Sequence, residues 1–445
     1  MKRRLFGTDG VRGVANSELT PQLAFELGRA GAYTLAKGKP SPLIVVGKDT
    51  RISGDMLEAA LIAGICSVGG KVLRAGVVPT PGVACLTRHF EADGGAVISA
   101  SHNPVEYNGI KFFDSKGFKL PDEIEDRIEE AMKLENFPVP KGKGVGYIEE
   151  IGNAVEIYGN FLKSTVDMDL KGMRIALDCA NGAVYRAAPM VLEELGAEVM
   201  VINNCPTGDN INVKCGSTHP DIIREFALKN KADAGLSFDG DADRLIAVDE
   251  QGQILTGDHI MAVCGIFMKE EGRLTKDTVV TTVMSNMGLD IALKKAGCNI
   301  VKTKVGDRYV LEEMLKKGYT FGGEQSGHVI FLEHNTTGDG LITALQLLKV
   351  MRKTGKPLSE LGSVMKLMPQ VLLNARVKNK EALWENGAVV RKVEEAEKRL
   401  AGRGRVLVRP SGTEPLVRVM VEGEDERELK EIARHLVDIM ERELN

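Results

Sequence analysis

Several short polar clusters interrupt apolar runs in this 445-residue chain, and their residue types suit chemistry. The most specific is AGLSFDGDADRLIAVD, where an apolar run leads into Asp239, Asp241 and Asp243, then Arg244, then a second apolar run. Three carboxylates at i, i+2 and i+4 in extended or looped backbone can face one side, and hard oxygen ligands of that kind suit Mg²⁺. Without a cation they would repel one another strongly. The bland alternative, a solvated acidic turn, sits poorly with the apolar flanks. A calcium EF-hand is the other rival, since Glu250 stands where such a loop carries its twelfth residue. It fails on Arg244, which occupies the position that needs glycine, and on flanks that alternate like strands.

A second cluster, GGAVISASHNPVEYNGIKFF, ends an apolar strand in Ser99, Ser101, His102 and Asn103, with Lys111 further on. Ligands bind at strand ends in α/β sheets. A nucleophilic serine needs proton transfer nearby, which His102 or Lys111 could supply, and no hydrolase-type GxSxG elbow is present. The alternative is a turn whose Ser and Asn cap local backbone. In TFGGEQSGHVIF, Glu324, Ser326 and His328 alternate between glycines. If extended, they project together and present an acceptor, a hydroxyl and an imidazole to a polyhydroxylated ligand. A glycine-rich hairpin with incidental polar groups is the other reading. RVLVRPSGTEPLVRVMV places Arg409, Ser411, Gly412 and Thr413 between two strands, the second carrying Arg418. Successive N–H groups in such a turn form an anion nest, and two guanidinium forks suit phosphate. Taken alone it could be an ordinary hairpin. Arg12, in LFGTDGVRG, either closes a first strand or stabilises a transferring phosphate.

These clusters need a scaffold that presents strand ends. Three stretches repeat one layout of short apolar strand, polar turn, helical pattern and further strand: LIVVGKDTR with DMLEAALIAGICSVGG and KVLRAGVV, RIALDCANGA with VYRAAPMVLEELG and AEVMVINN, and VVTTVMSN with MGLDIALKKAG and NIVKTKV. Each reads as a βαβ unit in a mostly parallel sheet. Prolines and glycines break the periodicity of ENFPVPKGKGVGYIEEIG, a first linker. The expected fold class is α/β, with three similar βαβ-type domains carrying mixed sheets and a smaller C-terminal α+β domain around a central cleft. The expected boundaries are residues 1–150, 151–253, 254–369 and 370–445, with the serine loop, acidic loop, glycine-rich loop and arginine loop in successive domains.

Composition narrows the classes of function. With 58 basic and 62 acidic residues the formal charge is −4, which argues against a nucleic-acid partner held by bulk charge. A 43% apolar and 27% charged balance is that of a globular protein, and no apolar run reaches the roughly 18 to 20 residues of a membrane helix. MKRRLFGTDG lacks the apolar run of a secretory signal, so a cytoplasmic location is expected. Seven cysteines without a CxxC pair suggest neither a disulfide framework nor a zinc knuckle.

Together SASHNP, DGDADR, GGEQSGH and RPSGTEP, in this order over essentially the whole chain, resemble the α-D-phosphohexomutases. FGTDGVRG, Gln325 and the length are most similar to the bacterial branch that interconverts glucosamine 6-phosphate and glucosamine 1-phosphate, feeding amino-sugar nucleotide and cell-wall precursor synthesis. The resemblance implies that Ser101 is a phosphoserine, that Asp239, Asp241 and Asp243 hold Mg²⁺ with a phosphoserine oxygen, and that Lys111 is the general acid or base. It puts Arg12, Arg244 and His328 in the active-site cleft, Glu324 and Ser326 on sugar hydroxyls, and Arg409, Ser411, Gly412, Thr413 and Arg418 on the non-reacting phosphate. It further implies priming by a hexosamine or hexose 1,6-bisphosphate and a small phosphosugar as partner, with no nucleic acid or membrane, and leaves a homodimer open. After SHNP the chain reads VEY, where relatives often carry more tyrosine and aspartate, so the local loop contacts depart from the family pattern. Phosphomannomutase or phosphoglucomutase activity is the runner-up, because residues that read hydroxyls do not by themselves reveal an amino group. A phosphoserine-type phosphatase would release inorganic phosphate, and an idle sensor would never label Ser101.

Overall fold

The computed structural model of the chain describes residues 4–7, 9–134, 136–411 and 415–445. They form two compact units. The first gathers the chain up to Met284 with Ala296–Val364, and the second gathers Ser285–Lys295 with Met365–Asn445.

The first unit holds three mixed sheets, each built on one of the expected βαβ layouts. Leu43–Lys48, Arg174–Asp178 and Thr278–Thr282 pair in parallel with Lys71–Val77, Glu198–Ile202 and Asn299–Thr303 respectively. Runs such as Leu43–Lys48 and Ala234–Phe238 are largely apolar and buried almost without a break, as strands covered on both faces must be. The six-stranded sheet runs Val11–Val14, Tyr107–Asp114, Gly94–Ile98, Leu43–Lys48, Lys71–Val77, Ile148–Glu150. Its antiparallel part carries Arg12 on one strand, Lys111 on the next and the serine loop at the end of a third. The five-stranded sheet runs Ile254–Leu255, Leu245–Asp249, Ala234–Phe238, Arg174–Asp178, Glu198–Ile202, and its Ala234–Phe238 and Leu245–Asp249 hairpin brackets the acidic loop. The four-stranded sheet runs Asn299–Thr303, Thr278–Thr282, Phe321–Gly323, Val329–Phe331.

Two segments differ from expectation. Ile148–Glu150 lies inside the expected linker yet joins the six-stranded sheet as an edge strand beside Lys71–Val77. All three of its residues are exposed, so its backbone pairing leaves no alternation to read. GGEQSGH is not extended. Phe321–Gly323 and Val329–Phe331 form an antiparallel hairpin, and the Glu324 N–H donates to the His328 carbonyl at 2.8 Å, so residues 324–328 make a tight turn.

The second unit is a three-stranded antiparallel sheet, Gln370–Arg376, Leu416–Gly423, Gly404–Pro410, with Gly387–Leu400 and Glu426–Glu443 as its long helices. Helix Met287–Lys295 belongs here too. Buried Glu422 accepts from the Met287 N–H at 2.9 Å and from Arg405 Nε at 2.5 Å, and Asn286 Nδ2 donates to the Met368 carbonyl at 3.0 Å.

Candidate active site

Strand Gly94–Ile98 delivers the serine loop. Ser101 is fully buried, holds a φ of 52°, and its Oγ donates to Asp239 Oδ2 at 2.6 Å. Its N–H donates to Ser99 Oγ at 2.9 Å, which in turn donates to Asp49 Oδ2 at 2.6 Å. His102 sits beside it with Nδ1 at 2.6 Å from an Arg244 Nη1. Burial, then Arg244 and Arg12, push that imidazole down to about 4, so it is neutral near pH 7 and accepts from the guanidinium. Lys111 is held in its charged form. Burial alone would lower its ammonium, but Asp241 and Asp9, each 3.0 Å away, outweigh burial and hold the proton on.

The acidic loop meets the serine loop directly. Asp239, Asp241 and Asp243 are buried, and each offers an oxygen within 4.8 Å of the others. The turn that gathers them runs through Ala242 at φ 56°. Burial, then repulsion from Asp243 and Asp241, pushes Asp239 well above the usual carboxylate range. Asp241 Oδ1 and Asp243 Oδ1 lack a hydrogen-bond partner among the described residues. Crowded carboxylates with orphaned buried oxygens fit a hard divalent cation such as Mg²⁺. Gly240 lets this loop close in, because a Cβ there would stand 2.6 Å from the Ser101 carbonyl oxygen.

The glycine-rich hairpin adds its side chains to the same network. His328 Nδ1 lies 3.4 Å from Asp243 Oδ2, and its Nε2 lies 3.5 Å from Asp307 Oδ2. Glu324 Oε1 accepts the Gly306 N–H at 3.1 Å, and burial raises its carboxyl. Ser326 Oγ is buried and has no partner among the described residues. Arg12 pairs with Asp9, whose other oxygen takes Lys119 at 2.8 Å, and Lys119 also pairs with Asp307. Ser101, Lys111, Arg12, Arg244, His328, Glu324, Ser326 and the acidic triplet therefore all lie in the first unit.

Sequence reading missed the groups that hold these residues. Asp9, Lys119 and Asp307 form the ion chain behind Lys111 and His328. Thr80 Oγ1 donates to Asp241 Oδ2 at 2.7 Å. Asp9 lies three residues before Arg12, whereas Lys119 in DSKGFKLP and Asp307 in VGDRYV sit in polar stretches that carry no local signal of a site.

The arginine loop lies in the second unit. Arg409 and Arg418 face each other across paired strands, and burial, then the charge of Arg418, lowers the Arg409 guanidinium. Two cations so placed favour an anion between them. The Ser411 N–H donates to the Leu416 carbonyl at 2.9 Å across the loop, while Gly412 and Thr413 lie outside the described residues.

Four profiles of one family match the chain in order. Phosphoglucomutase/phosphomannomutase alpha/beta/alpha domain I covers residues 3–138, domain II 146–252, domain III 256–368, and the C-terminal domain 372–439. A phosphoglucosamine mutase of Thermoanaerobacter sp. (strain X514) is 60% identical over 445 residues, spanning 99% of this chain and 100% of the relative. A phosphoglucomutase/phosphomannomutase family protein of Burkholderia thailandensis superposes with a TM-score of 0.81 at 23% identity, over 100% of this chain and 99% of that one. The N-acetylphosphoglucosamine mutase of Aspergillus fumigatus, solved in complex with GlcNAc-6P and magnesium, gives a TM-score of 0.67 at 16% identity, over 99% and 96%. At these identities the two structures speak to the fold alone. Full-length kinship with the bacterial relative, and all four profiles in sequence, lead to one statement: the chain belongs to the phosphoglucomutase/phosphomannomutase family.

Proposed function

We propose that the chain interconverts glucosamine 6-phosphate and glucosamine 1-phosphate, carrying a phosphoryl group on Ser101 and passing through a 1,6-bisphosphate. The observation that carries this reading is the buried Ser101 hydroxyl, 2.6 Å from a carboxylate of a triplet with unfilled oxygens. An isolated buried serine would have no use for three crowded acids, whereas a phosphorylated one shares a cation with them. Asp239, Asp241 and Asp243 would hold Mg²⁺, which when bound neutralises charge on the phosphoryl group.

The remaining groups act on the sugar and its phosphates. Phosphoserine gives its phosphoryl group to a sugar hydroxyl, and the opposite phosphate later returns to Ser101. Lys111, an ammonium between Asp241 and Asp9, gives a proton to the oxygen whose bond to phosphorus breaks and takes back the proton that the attacking hydroxyl loses, in either direction. Arg12, Arg244 and His328 offset charge around the transferring group. Glu324 and Ser326 bind sugar hydroxyls, and Arg409, Ser411, Gly412, Thr413 and Arg418 hold the phosphate that is not reacting. A 1,6-bisphosphate primes Ser101.

We place the functional domains at residues 1–150, 151–253, 254–369 and 370–445. The kinship at 60% identity favours the amino sugar over glucose or mannose phosphates. No helix among the described residues is long and apolar enough to cross a membrane. We infer cytoplasmic work on a small phosphosugar, with neither nucleic acid nor membrane as partner. Sizing the purified chain in solution decides whether two copies pair.

The test compares turnover of glucosamine, glucose and mannose 6-phosphates by phosphorylated protein. Glucosamine 6-phosphate should give the highest kcat/KM, and Ser101→Ala should abolish turnover and labelling. Normal mutase activity in Ser101→Ala refutes the phosphoserine route.

A further inference from the structure

The carbonyl oxygen of Ser101 is gripped by two side chains that, among the described residues, hydrogen-bond to neither the acidic triplet nor the glycine-rich loop. Arg51 Nη2 donates to it at 2.9 Å, and Asn212 Nδ2 donates to it at 2.8 Å. The same two side chains reach the Asn103 carbonyl, at 2.8 and 3.3 Å. Arg51 Nη1 goes on to the carbonyls of Pro104 at 2.6 Å and Tyr107 at 3.1 Å. The whole guanidinium is buried and is oriented by Asp49, whose carboxylate takes Arg51 Nε at 3.0 Å and the Arg51 N–H at 2.9 Å while also accepting from Ser99 Oγ. Asn212 comes from a loop whose N–H is tied to the Ala180 carbonyl at 2.9 Å, so each donor arrives from a different sheet.

This grip falls on a serine in the left-handed region, where a residue with a Cβ is held only by its surroundings. Freed of the two donors, Ser101 would relax toward negative φ and swing its Oγ away from Asp239. We propose that Arg51 and Asn212 are positioning residues that lock the Ser101 backbone and so set how the phosphoserine is shared between sugar and water. The proposal rests on Ser101 carrying phosphate. In sugar transfer the P–Oγ bond breaks as a sugar oxygen binds phosphorus. In leakage a water oxygen takes that place, inorganic phosphate leaves, and free serine remains.

The experiment uses the full chain labelled on Ser101 with radioactive phosphate from glucose 1,6-bisphosphate. It measures kcat and KM for glucosamine 6-phosphate, and separately the release of inorganic phosphate from labelled protein without sugar. Arg51→Lys keeps a cation beside Asp49 but cannot fork to four carbonyls. Misplacing the phosphoryl group by about 1 Å should lower kcat on the order of a hundredfold with a much smaller change in KM, and raise release relative to transfer about tenfold. A merely structural role would lower the labelled fraction and scale both rates together. Asn212→Ala, on a half-exposed loop residue, should shift the ratio in the same direction by a smaller factor, and decides the matter if Arg51→Lys does not fold. An unchanged ratio of release to transfer in the folded variants overturns the clamp. A wild-type chain that takes no label overturns the phosphoserine reading instead.

Discussion

At the scale of single residues, burial decides what each charge can do. Asp241 is fully buried, takes both Thr80 and Lys111 on one oxygen and leaves the other unfilled. Asp241→Asn removes one charge from the triplet at nearly constant shape. It should shift the Mg²⁺ activation curve to higher concentration and lower the maximal rate. Superimposable metal titrations would contradict the cation site. Arg418 faces Arg409 in register, an arrangement that an anion relieves. Arg418→Ala should therefore raise KM for phosphosugar by the equivalent of about 1 to 3 kcal/mol, with kcat less affected. Steady-state kinetics with glucosamine 6-phosphate read this directly, and an unmoved KM would put the phosphate elsewhere.

Elements matter here through the turns between them. The hairpin Ala234–Phe238 to Leu245–Asp249 is pinned by five paired positions, so its loop cannot slide, and the Asp239 end abuts Ser101. Gly240 packs against the Ser101 backbone. In Gly240→Ala the new Cβ would lie 2.6 Å from the Ser101 carbonyl oxygen and 2.9 Å from Asn212 Nδ2, so backbone must move. Turnover should fall by about a hundredfold, the scale of a 1 Å misplacement, while circular dichroism stays that of the parent. Near-parental kcat would mean that the loops tolerate separation. The glycine-rich hairpin teaches the same lesson in another form. Alternation at Glu324, Ser326 and His328 suggested a strand, but the turn aims His328 at Asp243 and Asp307 by geometry no period describes.

For the whole molecule, the division into two units does not follow chain order. Helix Met287–Lys295 lies in sequence between two strands of the four-stranded sheet, yet it packs in the second unit, where Glu422 holds its first N–H. Glu422 is fully buried and also takes Arg405 and, at 2.9 Å, Gln370 Nε2. Removing one partner of such a pair leaves a charge without its counterion, so Glu422→Ala should cost about 3 kcal/mol or more of stability. Urea unfolding of the second unit's signal, followed at Trp384, checks it. A midpoint within error of the parent would show that the helix is held by other contacts.

The chain's local chemistry was legible before any fold was known. Spacing of the carboxylates pointed to a cation loop at DGDADR, Arg244 and strand-like flanks argued against an EF-hand, and apolar runs ending in polar turns marked three βαβ units, because strand burial and helix period leave patterns within a few residues. Beyond the meeting of Ser101 with the acidic loop, which only the family resemblance implied, partnerships between distant segments stayed invisible. Arg51 and Asn212 on the Ser101 carbonyl, Asp9 and Asp307 around Lys119, and Thr80 on Asp241 are pairings across tens to more than a hundred residues. No local period encodes them, since a charged residue in a turn reads the same whether it meets water or a buried counterion. The edge strand Ile148–Glu150 was hidden for a related reason: backbone pairing and one exposed Arg74–Glu150 ion pair join it to the sheet, and neither leaves an apolar alternation to read. Residue type set the chemistry available to the site, and only tertiary packing, by excluding water from those groups, decided which of them would act together.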